Sequence, residues 1–226
     1  MGQTTDVLMN DGVSLRVYRA EPEGEERAGI VIMHEGTGLN DHIRDMCERY
    51  AAEEYLALAP ALYDRVEKGV ELKGYGPENQ PTIRSLRQRV DWDRAVQDMC
   101  AVADLAREAG KVGVVGYCWG GSFAWLASTR CDIDAAVIYY GGDIMQFIDE
   151  KPKCPIMGHF GDHDEHVAPE TAERVKQRCL GASVYMYDAG HGFNCDRRSD
   201  YDAESANLAQ ERTSEFFAAN LAGAPA

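Results

Sequence analysis

Cys118 lies in a turn whose residue types favour nucleophilic chemistry. The turn, 116–121 with the sequence GYCWGG, follows an apolar run and precedes a helix-like stretch. A nucleophile on a sharp strand-to-helix turn needs small residues two positions before and two positions after it, and Gly116 and Gly120 hold those positions. Such a turn exposes the sulfur above the strand ends and places the Trp119 N–H at a helix start, where it faces a developing negative charge. The turn therefore predicts a thiol hydrolase.

A thiol nucleophile needs a base, and that base needs a carboxylate to orient it. His191 lies in a glycine-flanked loop after a predicted strand, from which an imidazole can reach across the strand ends. An earlier loop offers Asp162, Asp164 and Glu165, although a solvated acidic loop is the ordinary interpretation of such a run. Cys118, one of these carboxylates and His191 follow the chain order nucleophile, acid, histidine of α/β-hydrolases. A buried core cysteine and a surface histidine are the plain alternatives.

Histidines near the acidic loop raise the alternative of a metal site. His159, His163 and His166 stand among acids, a mixture that suits a metal ion, but their spacing matches no recognised ligand frame. We therefore expect no metal there. Residues 36–38, with the sequence GTG, resemble half of a dinucleotide-binding loop, but Asp41 replaces the third small residue. The sequence accordingly predicts no cofactor.

Short apolar runs alternate with longer segments of helical spacing. Runs that are too short for isolated helices and rich in Val, Ile and Tyr predict strands. The predicted strands are Val13 to Tyr18, Gly29 to His34, Tyr55 to Ala59, Lys111 to Val115, Ile133 to Tyr140, Pro155 to Phe160 and Ser183 to Tyr187. The predicted helices are Ile43 to Glu54, Ile83 to Arg107, Ser122 to Ser128, Glu170 to Arg178 and Ala203 to Asn220. This alternation predicts a largely parallel sheet with helices on both faces.

The carboxyl ends of parallel strands form the edge at which such sheets bind ligands. Glu35 and Cys118 each end an apolar run, while Asp164 and His191 follow two later runs. Because these residues hold equivalent places on their strands, we expect all four to meet at that edge.

Length and composition favour one acidic domain. A chain of 226 residues with 45% hydrophobic content buries a sizeable core, and no linker, repeat or low-complexity tract divides it. We predict a single domain over 1–221 and a short flexible tail at 222–226. The formal charge of −15, from 23 basic and 38 acidic residues, argues against nucleic acid as a partner. An anionic small molecule would need a local arginine cluster. The candidates are Arg84, Arg87 and Arg89, and Arg197 and Arg198.

Cysteine usage and the apolar runs indicate the compartment. Seven cysteines are scattered without a C-x-x-C pair in a chain too long to need disulfides, which predicts reduced thiols. The first residues lack a basic region followed by an apolar stretch, and no apolar run approaches the ~20 residues that cross a bilayer. The sequence thus predicts a cytoplasmic protein without a membrane partner.

The motifs together resemble the dienelactone hydrolases, thiol members of the α/β-hydrolase superfamily. The matches are E-x-x-G-L-N at 35–40 followed by H-I-R-D at 42–45, L-A-L-A-P at 56–60, G-Y-C-x-G-G at 116–121, G-x-x-D-x-x-V at 161–167 and A-G-H-G-F at 189–193. Two positions depart from the family, since Glu54 and Ala61 stand where many relatives carry glycine and aspartate. The resemblance implies an α/β-hydrolase fold with a mostly parallel sheet.

The resemblance also implies roles for single residues. Cys118 would be the nucleophile, His191 the base, Asp164 in preference to Asp162 its orienting acid, and Glu35 a carboxylate that contacts the resting thiol. The activity that it implies is cleavage of a small-molecule lactone or ester through a thioester intermediate, without a cofactor.

Further expectations concern the oxyanion and the substrate. Backbone N–H groups of Trp119 and Gly36 would stabilise the oxyanion. The family's typical substrates are lactones whose carboxylate an arginine holds. The candidate substrate contacts are Arg84, Arg87, Tyr117 and Phe193. Two alternatives stay open on the same fold: a protein that binds a ligand without turnover, and a redox sensor based on the Cys118 thiol. The sequence leaves monomer and homodimer open as well.

Overall fold

A computed structural model of the protein describes residues 1–179 and 181–223. Within these residues lies an eight-stranded sheet with the order β1-β2-β4-β3-β5-β6-β7-β8. The strands are β1 (Gln3–Leu8), β2 (Ser14–Ala20), β3 (Ala28–Met33), β4 (Tyr55–Pro60), β5 (Val112–Tyr117), β6 (Ala135–Tyr139), β7 (Ile156–Gly161) and β8 (Ser183–Tyr187). Strand β2 is antiparallel to both β1 and β4, whereas β4, β3, β5, β6, β7 and β8 are parallel to one another. The predicted largely parallel sheet is confirmed.

Helices cover both faces of the sheet. The helices are α1 (Asp41–Ala52), α2 (Gln80–Arg89), α3 (Trp92–Ala106), α4 (Trp119–Arg130), α5 (Glu170–Arg178) and α6 (Ala203–Leu221). Gly29 of β3 pairs with Val112 of β5, and a Cβ on Gly29 would lie 2.3 Å from a carbonyl oxygen of α3. The next residue of β5, Gly113, faces the opposite way, where a Cβ would lie 2.6 Å from the Phe217 ring of α6. Since successive strand residues point to opposite faces, α3 and α6 lie on opposite sides of the sheet.

Two expectations about the elements are corrected. The predicted helix from Ile83 to Arg107 is two helices, α2 and α3, because the chain is extended at Val90 and Asp91 and the Asp91 side chain accepts the Arg94 N–H at 3.0 Å. Strand β1 escaped prediction because it lies at the sheet edge with almost every residue exposed, so it lacks an apolar pattern.

The expectation of reduced thiols is wrong for one pair. Cys100 of α3 and Cys131, which follows α4, form a disulfide with their Cα atoms 5.3 Å apart. Helices α3 and α4 pack side by side, so two residues separated by 31 positions in the sequence become neighbours. Nothing in their local sequence indicated this contact. The other five cysteines are free thiols: Cys47, Cys118, Cys154, Cys179 and Cys195.

The single domain over 1–221 stays a prediction. Of the tail predicted at 222–226, residues 224–226 lie outside the described residues. Across the part of the chain that the structure describes, every helix is too short or too polar to span a lipid bilayer.

Candidate active site

The turn after β5 presents Cys118 in a strained backbone conformation. Cys118 has φ 54° and ψ −117°, a positive φ that side-chain-bearing residues rarely adopt, and α4 begins at the next residue. A Cβ on Gly116 would lie 1.9 Å from the Gly120 carbonyl oxygen, and one on Gly120 would lie 2.1 Å from the Met33 carbonyl oxygen. Both glycines are therefore required by close backbone contacts, as the sequence pattern predicted. The sulfur is partly exposed at the carboxyl end of the sheet.

A chain of hydrogen bonds joins Cys118 to His191 and Asp164. Cys118 Sγ lies 3.0 Å from His191 Nε2, and His191 Nδ1 lies 2.8 Å from Asp164 Oδ2. The other carboxylate oxygen, Oδ1, accepts the backbone N–H groups of His166 at 2.7 Å and Val167 at 2.9 Å. These two bonds fix the Asp164 carboxylate, which in turn holds the imidazole with Nε2 directed at the sulfur. The sequence-predicted residues thus come together although 73 positions separate Cys118 from His191.

Electrostatics favour an ion pair between the sulfur and the imidazole. Burial opposes a charged imidazole, but the Cys118 sulfur and the Asp164 carboxylate outweigh it and raise the pKa of His191 to about 10. Burial also disfavours a thiolate, yet His191 lowers the pKa of Cys118 below its usual value. Because each group stabilises the charge of the other, the pair favours a thiolate beside an imidazolium, the reactive form of a cysteine nucleophile.

Asp162, the alternative acid, lies outside this chain of hydrogen bonds. Its carboxylate is half-exposed and lies 3.5 Å from His163 Nε2. His163 also contacts Asp188 at 2.6 Å, so the three groups form an exposed cluster of their own. His159 is buried and bonded to Tyr187 and to Thr213, which separates it from that cluster. The histidines that suggested a metal therefore do not converge on one point.

Glu35 is buried and paired with an arginine. Its Oε1 accepts a hydrogen bond from Arg198 Nη2 at 3.3 Å, and both side chains are almost fully enclosed. Although burial favours the neutral acid, the Arg198 charge keeps the pKa of Glu35 below its usual value. The Arg198 guanidinium also lies over the Tyr75 ring, 4.4 Å from its centroid. Among the described residues, the hydrogen bond of the Cys118 sulfur goes to His191 and not to Glu35, so the contact expected between Glu35 and the resting thiol stays a prediction.

A cavity of about 190 Å³ opens above Cys118. Gly36 and Trp119, the residues expected to hold an oxyanion with their backbone N–H groups, both line it together with the sulfur. The cavity is lined by Gly36, Thr37, Tyr75, Gln80, Ile83, Arg87, Cys118, Trp119, Gly142, Asp143, His166, His191 and Arg198. Its wall therefore combines the sulfur and imidazole with two guanidinium groups, which suits a small molecule that carries a negative charge.

The expected substrate contacts divide into two groups. Arg87 lines the cavity, where it is held by an ion pair with Asp143, while Arg84 lines only an adjoining outer cavity. Tyr117 and Phe193 were wrongly assigned as substrate contacts. Both are fully buried and absent from the cavity wall. Tyr117 is the last residue of β5, and its hydroxyl lies 3.3 Å from that of Tyr50, while Phe193 packs in an aromatic cluster with three tyrosines.

Sequence reasoning gave no site role to several side chains of the cavity wall, among them Arg198, His166 and Tyr75. Arg198 was noted only as part of a possible arginine cluster, yet it lies seven residues after His191 in the same loop, a proximity that could have marked it. His166 lies with its ring 4.9 Å from that of His191, between centroids, and its position two residues after Asp164 was the available signal. The sequence offered no signal for Tyr75, because this residue reaches the cavity from a long irregular segment.

The fold and this arrangement of sulfur, imidazole and carboxylate define an α/β-hydrolase. The sequence model of the dienelactone hydrolase family matches residues 15–221. The chain is 31% identical to the carboxymethylenebutenolidase of Pseudomonas putida, over 93% of this chain and 97% of that relative. It is 32% identical to a "putative carboxymethylenebutenolidase" of Methylorubrum extorquens, over 93% of this chain and 78% of that relative.

A solved structure agrees with these sequence relatives. The crystal structure of a "putative dienelactone hydrolase" from Klebsiella pneumoniae superposes with a TM-score of 0.85 at 28% identity, and it covers 96% of this chain and 98% of the other. The chain therefore belongs to the dienelactone hydrolase family, and it is a hydrolase of that family.

Proposed function

We propose that the protein cleaves lactones or esters by nucleophilic catalysis at Cys118, through a thioester acyl-enzyme. The observation that carries the proposal is the 3.0 Å contact between Cys118 Sγ and His191 Nε2 at the head of the strained turn. The pKa shifts of these two groups, downward for the thiol and upward for the imidazole, support a nucleophile that ionises more readily than an ordinary cysteine.

In the first half-reaction, the Cys118 sulfur attacks the carbonyl carbon and a carbon–sulfur bond forms. Backbone N–H groups of Trp119 and Gly36 would hold the resulting oxyanion, and the former is also the first residue of α4, whose N-terminus favours negative charge. His191 then donates its proton to the leaving oxygen as the carbon–oxygen bond breaks. A lactone keeps that oxygen in the same molecule, so the thioester carries the freed hydroxyl.

In the second half-reaction, His191 takes a proton from water as the water oxygen attacks the thioester carbonyl. The carbon–sulfur bond breaks and the product leaves as a carboxylic acid. Asp164 orients the imidazole throughout and stabilises its charged form. No step needs a metal or a redox cofactor.

A substrate with its own carboxylate fits the cavity best. Arg87 and Arg198 bring two guanidinium groups to the wall of a cavity in a protein of net charge −15. Each is held by a carboxylate, Asp143 for the first and Glu35 for the second. A substrate carboxylate that bound Arg198 would compete with Glu35, and displacement of Glu35 would remove a negative charge that disfavours the thiolate of Cys118. Substrate binding would then activate the thiol.

Turnover by Cys118→Ala tests the proposal directly. We expect kcat/KM for p-nitrophenyl acetate and for a panel of lactones to fall by at least about 10³-fold, because the nucleophile is lost. Cys154→Ala, which removes a thiol remote from the cavity, is the matched control and should retain activity. Full turnover by Cys118→Ala with unchanged circular dichroism would reject the nucleophile. Sulfenate formation at Cys118 in a wild-type protein that turns over no ester would favour the redox sensor instead.

A further inference from the structure

Three ligating side chains meet in the interior beside the candidate active site. A carboxylate oxygen of Glu35, a ring nitrogen of His42 and the sulfur of Cys195 all lie within 4.8 Å of one another, and all three residues are buried. They come from three separate segments: the end of β3, the first turn of α1 and the loop after His191. Neither His42 nor Cys195 takes part in the proposed hydrolysis.

Two of these side chains carry polar atoms without a hydrogen-bond partner. Glu35 is 0% and His42 1% exposed, and neither Glu35 Oε2 nor His42 Nε2 forms a hydrogen bond of regular geometry among the described residues, although the Tyr75 hydroxyl lies near both Glu35 and Cys195. The second polar atom of each of these two side chains faces a charged neighbour. Glu35 Oε1 faces Arg198 at 3.3 Å, and His42 Nδ1 lies 3.8 Å from Asp196. Buried polar atoms without partners are few in native proteins, so a pair of them in one cluster points to a missing ligand.

We infer that Glu35, His42 and Cys195 form a binding site for a divalent zinc ion. A carboxylate oxygen, an imidazole nitrogen and a sulfur are the three donor types that zinc takes in proteins. In a tetrahedral site these donors stand about 3.5 Å from one another, so the cluster needs to contract by about 1 Å at its widest pair. Three protein ligands leave a fourth position for water or an anion.

The charges around the cluster suit a divalent cation. Glu35 and a Cys195 thiolate together neutralise the ion, and an anionic fourth ligand such as chloride would balance the nearby Arg198. Because Arg198 binds Glu35 through Oε1, the unpartnered Oε2 is left for the metal. His42 and Tyr75 also line a second cavity, of about 440 Å³, that opens to solvent and offers a route for the ion.

Binding exchanges a proton for the metal without any redox step. The Cys195 S–H bond breaks, its proton goes to solvent, and the sulfur forms a bond to zinc. The imidazole of His42 coordinates in its neutral form, with its remaining N–H on the side of Asp196. The inferred site shares Glu35 with the proposed hydrolysis, but it does not require Cys118 to be a nucleophile.

Cobalt binding to the Cys118→Ala variant tests this inference. The variant removes the sulfur of Cys118, which together with His191 could otherwise bind cobalt. The Cys100–Cys131 disulfide is kept intact so that its two sulfurs cannot bind the metal. Cobalt(II) reports a thiolate ligand by a charge-transfer absorption in the near ultraviolet. We expect one equivalent of cobalt to produce this absorption together with tetrahedral visible bands, and one equivalent of zinc to abolish both. Absence of the charge-transfer absorption at millimolar cobalt would overturn the inference.

Second substitutions in the same background assign the ligands. Cys195→Ser should abolish the charge-transfer absorption, while Cys154→Ser and His163→Ala should leave it unchanged. His42→Gln keeps the sulfur and should weaken cobalt binding by at least about tenfold, which provides an answer if the serine variant fails to fold. An absorption that survives Cys195→Ser, or an affinity that His42→Gln leaves unaltered, would place the metal elsewhere and reject the site.

Discussion

Two thiols of this protein lie near the same buried carboxylate, and the fold treats them in opposite ways. Cys118 stands on a strained turn with His191 Nε2 3.0 Å away, which lowers its pKa. Cys195 is fully buried, and burial together with the Glu35 charge raises its pKa to about 12. The positive charge of Arg198 acts to lower the pKa of both thiols. The comparison indicates that a neighbouring imidazole can reverse the direction in which burial shifts the pKa of a thiol.

Thiol labelling should give the largest contrast between the two. For a pKa of about 12, the thiolate fraction of Cys195 at pH 7 is roughly 10⁻⁵. Iodoacetamide at pH 7, followed by peptide mass spectrometry on chelator-treated protein, should therefore alkylate Cys118 at least about 10³-fold faster than Cys195. As the pH falls through the lowered pKa of Cys118 its rate should decline, because the thiolate is protonated. Equal labelling rates for both thiols in the folded protein would show that Cys118 and Cys195 do not differ in reactivity.

Replacing His191 should lower the reactivity of the Cys118 thiol toward that of Cys195. His191→Gln keeps a side chain of similar size but cannot carry the proton, so we expect kcat/KM for esters to fall by about 10³-fold. The rate of Cys118 alkylation at neutral pH should fall as well, since the charge that lowers its pKa is gone. His163→Gln, in the exposed cluster away from the cavity, should match the wild type in both measurements. Unchanged alkylation in His191→Gln would mean that something else activates the thiol.

The strained backbone turn at Cys118 also distinguishes it from Cys195. The substitution Gly116→Ala tests how strictly that turn requires glycine. The added Cβ would lie 1.9 Å from the Gly120 carbonyl oxygen, a contact that only a shift of the backbone can relieve. We expect a loss of at least about 3 kcal/mol in the free energy of unfolding, measured by urea denaturation. Gly24→Ala is the control, since a Cβ added there would meet nothing within 4 Å. Equal stability of the two variants would show that the turn tolerates side chains.

The smallest expected effect comes from the shared carboxylate. Glu35→Gln removes a charge that raises the pKa of Cys118, so alkylation of Cys118 near pH 7 should accelerate by about 2- to 10-fold. The glutamine keeps the size of the side chain and still offers an oxygen to Arg198. A slower or unchanged rate would contradict the inference that the Glu35 charge disfavours the thiolate of Cys118.

Local patterns predicted the geometry of the turn at the candidate site because that geometry is set within a few residues. The spacing of Gly116 and Gly120 around Cys118 was enough to predict the turn, since each glycine lies so close to a backbone carbonyl that a side chain would collide with it. The chain order of nucleophile, acid and histidine placed His191, although the choice of Asp164 over Asp162 came from the family resemblance. The structure gives the physical reason: two backbone N–H groups fix Asp164 beneath the imidazole, whereas the neighbouring aspartate faces solvent.

Features set by packing between distant segments escaped prediction. Tyr117 adjoins Cys118 in sequence, but it is the last residue of β5 and is fully buried, with its hydroxyl 3.3 Å from that of Tyr50. The Cys100–Cys131 disulfide depends on the contact of α3 with α4. The pairing of Arg198 with Glu35, 163 positions apart, depends on the path of a loop that no local pattern describes.

The identity of the acylated atom shows whether Cys118 is the nucleophile. Wild-type protein mixed with a slowly hydrolysed ester, quenched in acid and digested, can be searched by mass spectrometry for the acyl group. The account predicts a thioester on the peptide that contains Cys118, and its absence from the peptides that contain Cys195 or Cys154. An acyl group on any other residue, or turnover without an acylated Cys118 under conditions that trap the intermediate, would contradict it.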